Sequence, residues 1–199
     1  MAQISSSIPS FKSIIAAITL SALFVIIQLF PSAAMAQEMD VRASQTAKIT
    51  QYIGDTAELT FTFSRPAVKG RTVWGELVPY VSPEDGEATP WRAGANENTT
   101  FSSNQDLLIE GELLPAGTYG IHMFPSANEW VIAFNKESNQ WGSFGYNADE
   151  DALRVTVTPS EAPFQEWLLY GFDVITPTSA TAFLHWDSLK VPFNIELTQ

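Results

Sequence analysis

The sequence predicts an all-β fold, a single antiparallel β-sandwich or jelly-roll-like domain that follows an N-terminal signal peptide. Three observations carry this. Apolar and polar residues alternate at a period of two through most of the chain after residue 36, the spacing that turns one face of a strand toward a core. Pro, Gly, Asn and Asp interrupt these runs at short intervals, as turns between strands do. No segment shows the longer period and caps of an amphipathic helix.

The first element is the leader, residues 1–36. Lys12 is the sole charge before Glu38, an apolar stretch runs over residues 14–30, and Pro31 precedes the small-x-small pattern Ala34-Met35-Ala36. This is the layout of a secretory signal peptide cleaved after Ala36. Cleavage leaves residues 37–199 as one domain, long enough to bury a full core. The alternative is an uncleaved anchor, but the apolar stretch is short for a span and is interrupted by Ser21 and Gln28. The expected location is therefore periplasmic or extracellular, with no stable membrane insertion after cleavage.

Strands follow. One is predicted at residues 48–53 and one at 58–64, where Leu59, Phe61 and Phe63 share the inward face. Arg65-Pro66 ends the second, and Gly70 marks a turn. Residues 72–78 fit either a short strand or a single helical turn, and residues 82–87 read as a polar loop. A strand at 99–102 precedes a small hairpin, 107–109 and 112–114, that turns at Glu110-Gly111. Residues 118–124 and 129–135 form a second hairpin. Residues 153–158, 165–174, 178–186 and 191–197 complete the set.

Composition narrows the function. The chain has 22 acidic and 10 basic residues, a net charge of −12, and no cysteine. The missing cysteine removes lipoprotein anchoring and a disulfide framework. The negative charge opposes phosphate backbones, so nucleic-acid binding is not expected. Yet Arg65, Lys69, Arg71 and Arg92 lie close together in the sequence. Local positive charge on a negative body is a means of drawing a carboxylate or phosphate to one place. Pairing with nearby carboxylates such as Glu58, Glu76 and Glu97 is the competing explanation.

Those cations flank or lie in two motifs, Ser64-Arg65-Pro66-Ala67-Val68-Lys69-Gly70-Arg71-Thr72-Val73-Trp74-Gly75 and Trp91-Arg92-Ala93-Gly94-Ala95-Asn96-Glu97-Asn98-Thr99-Thr100. The motifs also carry a resemblance, extended by Leu77-Val78-Pro79-Tyr80, by Leu114-Pro115-Ala116-Gly117-Thr118-Tyr119-Gly120-Ile121-His122, and by Phe134-Asn135-Lys136. Trp141-Gly142, Asp151-Ala152-Leu153-Arg154-Val155, Ser179-Ala180-Thr181 and Val191-Pro192-Phe193 continue it. Over residues 47–197 the chain resembles domain of unknown function family 2911, found in exported bacterial proteins. The resemblance implies export and one β domain, and it brings no established activity. The loop over residues 81–90 is longer than the family's usual link.

The residues themselves nominate a ligand site. Arg65, Lys69, Arg71, Arg92, Asn96 and Glu97 would hold the polar groups of a small polar or anionic molecule, and Trp74 and Trp91 would line its flat face. Trp167 and Trp186 alternate with apolar neighbours and are predicted to be buried. Gly94 permits close approach of a ligand or of another strand. His122 shares a strand face with Gly120 and Phe124; Gly120 would leave space beside it, placing the histidine on a pocket wall. The alternatives are a hydrolase using Glu97 and His122 as acid and base, and a partner-binding module in which the motifs only brace loops. Two histidines, His122 and His185, with Glu97 could supply three metal ligands, but no metal-binding spacing is present and no metal or cofactor is assigned. The run Asp149-Glu150-Asp151 reads as a solvated turn.

Overall fold

A computed structural model describes residues 41–81 and 89–198. The predicted leader and most of the polar loop that departs from the family pattern lie outside the described residues. Among the described residues there are ten strands: β1 (Gln45–Ile53), β2 (Ala57–Arg65), β3 (Thr99–Ser103), β4 (Leu107–Ile109), β5 (Glu112–Leu114), β6 (Gly117–Phe124), β7 (Trp130–Asn135), β8 (Asp151–Val157), β9 (Ser160–Asp173) and β10 (Ser179–Leu197). They form two antiparallel sheets, ordered β1-β2-β3-β6-β7-β8 and β5-β4-β10-β9. Among the described residues the sole helical element is one 3-10 turn, Ala148–Glu150.

The alternation in β2 does what the sequence predicts: Leu59, Phe61 and Phe63 are buried. Phe61 sits where the sheets meet. Its ring lies 4.9 Å from Phe101 and 4.7 Å from Tyr170, with Phe172 and Phe193 beyond. Aromatic pairs at such distances add to the burial of large apolar surfaces. The β4–β5 turn is made by Glu110 and Gly111 with φ of 49° and 85°, the left-handed pair that matches hairpin twist.

Two readings are corrected. Residues 178–186 and 191–197 are one strand, β10, and not two. Its inward residues change parity, from Ala180, Ala182, Leu184 and Trp186 to Val191, Phe193 and Ile195. The pairing with β9 is irregular on both sides of Asp187, whose φ is 55°. A bulge there flips the faces, so a strict period of two breaks although the strand continues. Residues 72–78 are neither strand nor helix. They form a closed loop in which Leu77 and Val78 donate to the carbonyls of Thr72 and Val73, and an isolated bridge joins Trp74 to Val78.

The six-stranded sheet is also covered on its outer face. Residues 136–150 fold back over β6, β7 and β8, so successive residues of β6 from Tyr119 to Phe124 are all buried. Replacing Phe61 by Ala removes the ring shared by both sheets. The expected cost is about 3–5 kcal/mol, read as a lower urea midpoint with little change in slope.

Candidate functional site

The second motif is an excursion from the edge of β6. Trp91 and Met123 exchange both backbone hydrogen bonds at 2.8 Å, and pairing resumes at Thr99 opposite Ile121. Residues 92–98 loop out between these points. The loop is fixed internally: Arg92 donates to the Asn96 carbonyl at 3.0 Å and Thr99 Oγ1 to the Ala93 carbonyl at 2.9 Å. The buried Tyr170 hydroxyl, from β9, donates to the same Ala93 carbonyl at 2.9 Å. Ala93 and Asn96 adopt left-handed φ values of 53° and 61°. Such strain persists where the surroundings over-determine it. Gly94 is required by packing: a Cβ there would stand 2.7 Å from Thr99 Oγ1 and 3.2 Å from the Ser64 carbonyl. Its close approach is to the chain itself.

The first motif lies along β9. Val68 donates to the Glu166 carbonyl and Leu168 to the Pro66 carbonyl, so residues 66–68 extend the four-stranded sheet. A turn follows with Lys69 and Gly70 at φ of 50° and 67°. Arg71 closes it, its guanidinium bonded to the carbonyls of Val68 and Ala67.

Between the motifs lies a half-open cavity of about 370 Å³. Lys69, Arg71, Trp91, Arg92 and Asn96 line it, together with Trp186, Ala67, Leu77, Val78, Gly94, Ala95 and the segment Ala43-Ser44. Its lining thus holds three cations and, among the described residues, no carboxylate, on a chain of net charge −12. Among the described residues none of Arg65, Lys69, Arg71 and Arg92 forms a salt bridge; the ion pairs are Arg42–Glu97, Arg154–Asp151 and Lys190–Asp173. Pairing with Glu58, Glu76 or Glu97 therefore does not account for the cations.

Four nominated residues fall outside the lining. Arg65 is spent on the Leu168 carbonyl, at 2.8 Å. Trp74 lies behind the cavity wall, edge-on to Trp91, Trp130 and Trp186, its buried Nε1 without an acceptor among the described residues. Glu97 faces away, borders a separate hollow with Thr46 and Thr62, and binds Arg42. That contact holds its carboxyl below the usual carboxylate range.

His122 is not on a pocket wall. It is fully buried beneath residues 136–150, its Nδ1 2.8 Å from Ser143 Oγ and its Nε2 3.3 Å from Asn98 Nδ2. The space beside Gly120 is filled: a Cβ there would lie 2.3 Å from Asn98 Nδ2. Burial lowers the His122 pKa to about 4, opposed in part by Asp151. Asp151 is no solvated turn residue, since it accepts from Asn135, Tyr146 and Arg154. Glu97 and His122 thus occupy different environments and form no acid–base pair. His185 projects from the other sheet and contacts the Pro163 carbonyl, which disperses the metal set of Glu97, His122 and His185. Trp186 is buried as predicted and still contributes to the cavity, whereas Trp167 is 41 % exposed because it lies on the outer face of β9.

Sequence reasoning passed over Arg42, Ser44 and Tyr170. Each meets the excursion from a distant part of the chain, and none bears a local signal. A neutral buried histidine must charge on unfolding in acid, so His122 binds more protons unfolded than folded between its two pKa values. Stability should rise with pH across about 4 to 6.5, by a total of about 3 kcal/mol. Denaturant titrations over that range should show this slope, and His122→Gln should flatten it.

The comparisons with known proteins agree with the motifs. A family model described as protein of unknown function (DUF2911) matches residues 44–195. No curated protein and no solved structure matched the chain. The matched span contains both motifs and every strand except the last two residues of β10, and this chain belongs to the DUF2911 family.

Proposed function

We propose that this protein is an exported receptor for a small anionic molecule, held in the cavity between the two motifs. The carrying observation is the lining, in which Lys69, Arg71 and Arg92 share one cavity with no carboxylate among the described residues that border it. Cations placed together repel, and a site in which three of them have no carboxylate partner among the described residues gains when an anion enters. Arg71 and Arg92 are held by backbone carbonyls, which fixes planar donors in advance of binding. Trp91 offers an apolar wall beside them. The leader motif supports delivery to the periplasm or exterior.

The test is a thermal-shift series with phosphate, citrate, galacturonate and benzoate. A ligand at a hundred times its dissociation constant adds about 2.7 kcal/mol of stability, a rise in Tm of several degrees. Lys69→Asn removes the ammonium and keeps a residue that tolerates the left-handed backbone. It should leave the unliganded Tm within about 1–2 °C and reduce the shift, as should added salt. No shift with any of the four anions overturns the receptor reading.

A further inference from the structure

We infer that Asn96 and Glu97 serve this cavity as a latch, holding the strap of residues 42–44 in place as a removable wall. The inference rests on the receptor reading for its purpose, but not for its geometry. Ala43 and Ser44 line the cavity, yet sheet pairing begins only at Gln45, opposite Arg65. The strap is fastened by side chains instead. Arg42 donates to both Glu97 oxygens, at 2.8 and 2.6 Å, and reaches Thr46 at 3.4 Å. Asn96 Nδ2 donates to the Ser44 carbonyl at 3.0 Å.

Asn96 joins the strap to the site. Its side chain holds Ser44 while its own carbonyl holds the cavity cation Arg92. The left-handed backbone at Asn96 permits both, and asparagine tolerates that conformation better than most residues. The fastening is weak. The Arg42 and Glu97 side chains are 40 % and 52 % exposed, and ion pairs in such positions contribute little. A wall held this lightly opens often, which suits a cavity that must admit its occupant.

Trypsin reads the latch directly. It must take the Arg42 side chain into its own specificity pocket, so cleavage between Arg42 and Ala43 requires the guanidinium to leave Glu97. With rapid reclosure the rate follows the open population. Glu97→Gln should accelerate cleavage after Arg42 by about two- to five-fold. Asn96→Gly, which keeps the left-handed backbone and deletes the amide, should do the same. Cleavage after Arg154, which is tied to Asp151, should not change. If Glu97→Gln fails to fold, Arg42→Lys keeps a trypsin site, lacks the two-pronged contact and should also be cut faster. Unchanged cleavage after Arg42 in the folded variants overturns the latch. The two readings fail separately: faster cleavage with no anion-induced thermal shift removes the receptor alone, and unchanged cleavage with that shift present removes the latch alone.

Discussion

Four indoles hold the two sheets and the two motifs together. Trp130 comes from β7 of the larger sheet and Trp186 from β10 of the smaller one, while Trp74 and Trp91 come from the motifs. Trp91 stacks on Trp186 at 6.0 Å, and Trp74 meets Trp91, Trp130 and Trp186 edge-on within 4.9–5.7 Å. Each contact of this kind adds about 0.5–1.5 kcal/mol beyond simple burial. The cluster gives otherwise irregular loops a rigid base, and the cavity opens against its Trp91–Trp186 side.

Bracing and binding are usually set against each other as explanations for polar motifs. Here the same atoms can do both. The carbonyls of Ala67, Val68 and Asn96 satisfy part of each arginine, which fixes the loops, while both residues border the cavity. A guanidinium has five N–H donors, so tying two of them to backbone in Arg71 and one in Arg92 leaves donors over in each. Left-handed turns at Lys69, Ala93 and Asn96 cost conformational energy, and the surrounding hydrogen bonds offset it.

The outer layer over β6 obeys a different logic. Two polar groups tie residues 136–150 to the sheet: Asn98, His122 and Ser143 form one, Tyr146 and Asp151 the other, with the His122 and Tyr146 rings 4.7 Å apart. Buried polar groups demand partners, and these groups supply nearly all of them; Asn98 Oδ1 remains without one among the described residues. The arrangement fastens a long connection to the sheet and keeps the imidazole neutral. It explains why a histidine opposite a core-facing strand position belongs to the architecture and not to the cavity.

The sequence by itself determined the strands, the Glu110-Gly111 hairpin and the grouping of Lys69, Arg71, Trp91, Arg92 and Asn96, because period, turn chemistry and charge are local properties. It could not determine that β10 runs on through its parity change, since a broken period reads equally as a bulge and as a turn between two strands. Nor could it assign Glu97, His122, Arg65 and Trp74. Arg65 and Glu97 even sit next to true lining residues in the chain, but whether a side chain meets the cavity, a carbonyl or another ring depends on the direction in which the backbone turns. Tertiary structure alone made that decision, through contacts such as Arg42 to Glu97 and Tyr170 to Ala93 that join residues far apart in the chain.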